Sequence, residues 1–266
     1  MAYEKITYEV ADNIATIAFN DPKTLNAAGI DTAEELLVAL EHAGNDARCT
    51  IITGHGRGFC SGANLSGGMS GAAENNKPKG EFDAGKALDS HYNPLVSAIR
   101  EHPHPVITAV NGPAAGVGCS IALLGDMIIA GESAYFLQAF RRIGLVPDGG
   151  STYLLPRTLG RVRAMEMALL GDKLPAAKAL EWGMVNKVVP DDRLMDEARA
   201  LAETLANGPT KALAMTRQLI WEGCEAEWGP QLHAERLAQR SAGRTKDNRE
   251  GVMAFLEKRQ ANFTGS

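Results

Sequence analysis

Residues 49–65 read CTIITGHGRGFCSGANL and residues 106–118 read VITAVNGPAAGVG. Both open on short runs of β-branched and apolar residues, the pattern of a strand buried on both faces. Both then break into glycine before a segment of small residues. A strand that feeds a tight small-residue turn and then a helix is the repeating unit of an α/β core. A third copy follows, with Met127 to Ala130 leading to the turn GLVPDGGST at residues 144–152.

Upstream of these repeats, Ile6, Tyr8 and Val10 alternate with polar residues, Asp12-Asn13 supplies a turn, and Ile14 to Phe19 resumes. That pattern predicts an opening β-hairpin, ended by Asn20-Asp21-Pro22. Asp31 offers an N-cap with Glu34 three residues later, and Leu36, Leu37 and Leu40 form an apolar stripe, so a first helix is expected there. The low-complexity segment AAENNKPKG at residues 72–80 precedes a helix expected from Ala87 to Arg100. His102 and His104 flank Pro103 as a polar approach to the strand at Val106. From Arg161 onward the signals are helical, except for Val185 to Val189, and Asn207-Gly208-Pro209 is the clearest breaker. The expected organisation is a core over residues 1–207 and a helical region over 208–266, suited to pairing with another subunit.

The chain has 266 residues, 45% apolar and 22% charged, which is ordinary globular usage. A net charge of -5 argues against a general nucleic-acid binder. Cys49, Cys60, Cys119 and Cys224 have no paired spacing, so neither a zinc ribbon nor a disulfide framework is expected. The opening segment MAYEKITYEVADN lacks the apolar core of a signal peptide, and no apolar run reaches membrane-spanning length. A cytoplasmic protein without membrane association is the expectation.

Nucleotide motifs fail on inspection, because Phe59 and Ile121 stand where a dinucleotide turn needs its third glycine. The six histidines lack the two-histidine helical spacing of a metal site. What remains is the pair of glycine-rich junctions at residues 58–65 and 112–118. Facing each other, they can hold one developing oxyanion between two backbone N–H groups; the plainer reading is tight turns and close helix packing. Asp148, in Val-Pro-Asp-Gly-Gly, lies between apolar segments where partial burial can raise its pKa toward that of a working base. Its plainer reading is a turn or N-cap aspartate opening the next helix.

Together these pieces resemble the crotonase superfamily, the enoyl-CoA hydratases and isomerases. The resemblance runs through NDPKTLNA at 20–27, GFCSGANL at 58–65, AVNGPAAGVG at 109–118, GLVPDGG at 144–150 and EKRQANF at 257–263. It implies a spiral of repeated ββα units closed by a helical trimerisation region, a homotrimer or dimer of trimers, and a coenzyme A thioester substrate with no tightly bound cofactor. It puts the oxyanion donors at the backbone N–H groups of Ala63 and Val117. The loop from Pro22 to Leu25, with Ala63 and Leu65, would hold the pantetheine and adenine, and Lys23 would meet a phosphate. After Asn207 the chain would pack between subunits, bringing Lys258 or Phe263 toward the coenzyme.

The departures from the family pattern carry the functional expectation. Hydratases of the family position water with two glutamates; the matching positions here are Ser120 and Phe140. Ser120 can hold a water but is no base at neutral pH, and Phe140 is inert, so hydration should be weak or absent. Asp148 matches the acid/base aspartate of some isomerases, and Tyr92 to Val96 with Pro147 to Ser151 is most similar to the ring-epoxide phenylacetyl-CoA isomerase branch. The resemblance implies an isomerase in which Asp148 shuttles a proton, Phe140 shapes a dry pocket, residues 66–90 form a wall over the acyl group, and His91 borders that wall. The alternatives are a weak hydratase, an aryl-CoA dehalogenase and a non-catalytic acyl-CoA-binding module. The dehalogenases carry tryptophan at the position of Phe140, whereas the first tryptophan here is Trp182.

Overall fold

The computed structural model describes residues 3–64, 83 and 85–266. Nine strands are described: β1 Ile6–Ala11, β2 Ile14–Phe19, β3 Cys49–Gly54, β4 Val106–Val110, β5 Pro113–Ala115, β6 Met127–Gly131, β7 Tyr135–Leu137, β8 Leu174–Pro175 and β9 Lys187–Val189. The described helices are α1 Ile30–Asp46, α2 Asn93–Arg100, α3 Val117–Leu123, α4 Ser151–Leu170, α5 Ala176–Glu181, α6 Leu194–Ala206, α7 Thr210–Gly223, α8 Trp228–Ala242 and α9 Lys246–Glu257.

Asp12 and Asn13 both take positive φ, 52° and 61°, the twist that a two-residue hairpin requires, and they pair Ala11 with Ile14 across it. From β2 onward the main sheet is parallel, in the order β1-β2-β3-β4-β6-β9. Strands β3, β4 and β6 read as nearly unbroken apolar runs because both faces are covered. Ile17, Ile52 and Val110 join the large core that includes Leu36 and Leu40 of α1 and Leu95 and Ile99 of α2. Their neighbours Ile51, Ile107 and Ile129 point the other way, onto Leu194, Ala198 and Ala202 of α6. A second ladder, β5-β7-β8, is extended by single bridges between Cys60 and Ala114 and between Ala28 and Ala63. This second ladder builds the site, because β3, β4 and β6 each deliver the chain into it through a glycine-containing turn.

Several local expectations are corrected. The cap of α1 is Gly29, whose N–H donates to Thr32 Oγ1, while Asp31 lies inside the first turn and Glu34 caps nothing. The helix expected from Ala87 begins as a π-turn, Leu88–Tyr92, before α2. The long helix α4 starts ten residues earlier than Arg161, and Gly160, with φ 75° and ψ 159°, kinks it. His102 is not a surface approach residue: it is buried, shares a 3.0 Å hydrogen bond with Thr50 Oγ1, and burial lowers its pKa to about 3.

Asn207 lies between α6 and α7. Beyond it, Arg217 reaches back into the core, donating to Asp126 Oδ2 at 2.6 Å and to the carbonyls of Ile99, Arg100 and His102. Phe263 packs on α9 at Gly251, and Lys258 is exposed at the end of that helix. No described helix is long and apolar enough to cross a membrane.

Candidate active site

The two glycine junctions are built by asparagine side chains that satisfy loop carbonyls a strand would otherwise satisfy. Asn26 Nδ2 donates to the carbonyls of His55 and Gly58, and its Oδ1 accepts from the Asp21 N–H. Asn111 Nδ2 donates to the carbonyls of Gly54, Gly56 and Gly58. Buried main-chain groups without strand partners need such substitutes. The loop at Lys23 and Leu25 is stitched to the same turn: the Ser61 N–H donates to the Leu25 carbonyl and Ser61 Oγ to the Thr24 carbonyl. Lys23 itself is exposed on a single 3-10 turn.

The turns face each other. The Phe59 and Cys60 N–H groups donate to the Pro113 carbonyl, the Ala115 N–H donates back to Cys60, and the Gly116 N–H reaches Leu137. On the other side, the Ala28 N–H donates to Gly62 and the Asn64 N–H to Ala28. That pattern skips Ala63, whose own N–H stays outside the ladder. Val117 is the first residue of α3, where a helix N–H has no internal acceptor. Among the described residues neither the Ala63 nor the Val117 N–H has an acceptor. Two adjacent free donors, one at a helix N-terminus, suit a developing negative oxygen.

Asp148 lies on the turn that leads into α4. Its Oδ1 is buried without a hydrogen-bond partner among the described residues, and burial raises its pKa to about 6. The capping alternative is corrected: the N-cap of α4 is Gly150, without a side-chain cap, and what Asp148 offers is its main-chain carbonyl. Ser120 is corrected as well. It is fully buried, and its hydroxyl is committed to the Asp148 carbonyl at 3.1 Å and to Ser151 Oγ at 2.7 Å, so it is not poised to hold a catalytic water.

Phe140 is 8% exposed and presses on the second turn, its Cζ 3.6 Å from where a Cβ on Gly116 would stand. Glu34 Oε1 of α1 lies 3.3 Å from His91 Nε2, and Ser90 Oγ lies 2.7 Å from its Nδ1. Leu65 and most of the wall expected at 66–90, namely 66–82 and 84, lie outside the described residues. The reading of the residues missed Tyr92, whose buried hydroxyl donates to the Ala28 carbonyl at 2.7 Å. Burial first, with Cys60, Asp148 and Asp31 adding to it, raises its pKa to about 12. Gln138 and Ser151, both fully buried, were also missed; lone polar residues before a 3-10 turn and after a glycine pair carry no motif.

Known proteins resemble this chain over nearly its whole length. Residues 9–266 match the family profile described as Enoyl-CoA hydratase/isomerase. The chain is 44% identical over 265 residues to the 1,2-epoxyphenylacetyl-CoA isomerase of Escherichia coli K12, covering 98% of this chain and 99% of the relative. It is 42% identical over 265 residues to a probable enoyl-CoA hydratase of Rhodobacter capsulatus, covering all of both chains. A crystal structure of a putative enoyl-CoA hydratase/isomerase from Mycobacterium abscessus superposes with a TM-score of 0.90 at 35% identity, covering 98% of this chain and 100% of that one.

Proposed function

The chain belongs to the enoyl-CoA hydratase/isomerase family, the crotonases, and we propose that it is an isomerase of coenzyme A thioesters in which Asp148 carries the proton. The observation that supports this most is the buried, unpartnered Asp148 Oδ1 on a turn packed against α3, whose first N–H is free. With a β,γ-enoyl thioester, the carboxylate removes a proton from the α-carbon, and the C–H electron pair moves into the thioester carbonyl. The N–H groups of Ala63 and Val117 hold the resulting enolate oxygen. The protonated Asp148 then returns the proton at the γ-carbon, leaving a conjugated double bond and a carboxylate ready for the next cycle.

No second ionised carboxylate is needed, which fits Ser120 and Phe140 standing where hydratases of the family keep glutamates. A committed serine and a phenyl ring activate no water, so hydration is disfavoured despite the hydratase names among relatives. The identity to 1,2-epoxyphenylacetyl-CoA isomerase favours an aryl acyl group beside Phe140. Lys23 and Leu25 lie on the loop assigned to coenzyme A. A cytoplasmic location completes this reading.

We also propose that residues 208–266 form the packing region of a homotrimer or dimer of trimers. Trp228 and Phe255 are 79% and 82% exposed in the single chain, and Leu256 and Ile220 are exposed with them. Large apolar side chains left exposed on three successive helices suit a contact surface. Light scattering that found a stable monomer at micromolar concentration would remove this assignment.

The mechanism is tested with β,γ-enoyl and ring-epoxide aryl thioesters in deuterium oxide. Product should carry solvent deuterium, and Asp148→Asn should lose roughly two to four orders of magnitude in turnover. A folded Asp148→Asn protein that turns over like its parent would end the assignment. Trapping a covalent acyl–Asp148 species would instead favour a dehalogenase, and binding without turnover across the panel a non-catalytic module.

A further inference from the structure

Asp148 is held by its main chain, not by its carboxyl. The Asp148 carbonyl oxygen accepts from Ser151 Oγ at 2.8 Å, from the Ser151 N–H at 3.0 Å and from Ser120 Oγ at 3.1 Å. Behind these donors, Gln138 Nε2 donates to Ser151 Oγ at 3.2 Å. The three side chains come from separate parts of the fold: Ser120 from α3, Gln138 from the residue after β7, and Ser151 from the start of α4. All three are 0% exposed.

Hydrogen counting shows that the network ends on the Asp148 carbonyl. Each serine hydroxyl has one hydrogen to give. Either Ser120 gives to Ser151 and Ser151 to the Asp148 carbonyl, or Ser151 gives to Ser120 and Ser120 to the carbonyl; with Gln138 giving to Ser151, each hydroxyl hydrogen is used once in both arrangements. The Ser151 N–H then fills the carbonyl's second lone pair. Buried polar side chains are expensive unless they are bonded in this way. The turn is pressed onto α3 as well: Gly149 has φ 58°, and a Cβ there would stand 3.1 Å from Ser120 Oγ and 3.2 Å from Val117 Cγ2. The grip therefore joins the turn bearing the carboxyl to the helix whose first N–H belongs to Val117.

We infer that Ser120, Ser151 and Gln138 are positioning residues that fix the Asp148 carboxyl relative to the Val117 N–H by gripping the Asp148 main chain. The inference rests on the proposed role of Asp148 as proton carrier. It gives the serine at position 120 a function of its own: where hydratases of the family place a water-positioning glutamate, this chain places an anchor for the base.

The test compares the parent with Ser120→Ala, Ser151→Ala and Asp148→Asn, measuring kcat, KM, the pH midpoint of kcat and melting temperature on the same preparations. Misplacing a catalytic group by about 1 Å costs up to roughly a hundred-fold in rate. Each serine variant should lose about ten- to hundred-fold in kcat with KM little changed. Its pH midpoint should fall toward the ordinary carboxylate value, because a loosened turn lets water reach the carboxyl. The other titratable groups packed around the site, Tyr92, Cys60 and Cys119, are raised by burial to about 12, 11 and 12 and stay neutral through this range. Should Ser151→Ala not fold, Ser120→Ala decides, since it leaves both Ser151 donors on the carbonyl. Parental kcat and midpoint in the serine variants, with Asp148→Asn inactive, would overturn the network alone; so would a lower melting temperature and kcat with an unmoved midpoint. Parental turnover in Asp148→Asn would overturn the proton-carrier reading beneath it.

Discussion

Gly62 and Gly116 meet main chain to main chain, the Gly62 Cα lying 3.7 Å from where a Cβ on Gly116 would stand. Gly116 has φ 53° and ψ −127°, a conformation open in practice only to glycine, and it sets the Val117 N–H at the head of α3. This contact makes Val117→Pro an unusually clean probe. Proline fits the first position of a helix, where its missing N–H has no helical partner to lose. The variant should fold, keep its binding of coenzyme A thioesters largely intact, and lose roughly 2.7–4 kcal/mol of transition-state stabilisation, the usual effect of deleting an oxyanion donor. Val117→Gly, which retains the N–H, should keep much of the activity. Steady-state kinetics on the two variants checks this directly, and parental activity in the proline variant would exclude Val117 as a donor.

Ser120→Glu restores the residue that hydratases of the family carry, yet it should not restore hydration. Ser120 is fully buried, and Gly149 is folded against its side chain. Overpacking such a position costs about 1–3 kcal/mol before any buried charge is counted. The expected outcome is a lower melting temperature, a displaced Asp148 turn and loss of isomerisation, with no hydratase activity at saturating concentrations of an α,β-enoyl substrate. A stable variant that hydrates crotonyl-type thioesters would show that the turn tolerates both arrangements.

Much of this layout was legible in the sequence, for a physical reason. Strands β3, β4 and β6 are covered on both faces, so they read as unbroken apolar runs, and the glycines that follow β3 and β4 are those that the close approach of two turns requires. Asp148 stood out because a carboxylate between apolar segments is conspicuous. The support around it was not legible: Ser120 and Ser151 meet across 31 residues, and nothing local in either segment announces a partner. The start of α1 misled for the opposite reason. Asp31 and Glu34 have the spacing of a capping box, but the bond that forms is between the Gly29 N–H and Thr32, two residues earlier. Tyr92 was visible only as part of a family string; its hydroxyl is significant because Ala28 carries the ladder beside Ala63.

Arg217 should be the residue on which docking of α7 depends. It is 8% exposed, pairs with Asp126 at 2.6 Å, and donates to three carbonyls at the end of α2 and just beyond it. Removing one member of a buried pair leaves the other charge uncompensated, at a cost of about 3–5 kcal/mol. Arg217→Met should therefore destabilise by that order in denaturant unfolding and expose Trp221, whose Nε1 donates to Asp126 Oδ1, to quenchers of its fluorescence. Unfolding at the parental midpoint would show that α7 is held by other contacts.

Asp148→Asn makes the last prediction, and its two effects should have opposite signs. Burial raises the pKa of Asp148 to about 6, so the folded protein holds that proton more tightly than the unfolded chain does. The stability this contributes is fully present below the ordinary carboxylate value and is lost as pH rises through about 6, where the unpartnered carboxylate must ionise in its buried place. Turnover follows the reverse course, because the base works only when ionised, and should decline as pH falls through the same value. Asparagine removes both dependences. Above pH 6 the variant should be more stable than its parent, by at most about 3 kcal/mol and by less to the extent that solvent reaches the carboxyl, while turnover collapses. A residue that merely capped a helix would behave otherwise, losing stability on substitution and keeping its turnover. Melting temperatures of parent and variant at pH 5 and pH 8, with turnover measured beside them, separate the two cases. A variant less stable than its parent at pH 8 would contradict the buried-base account.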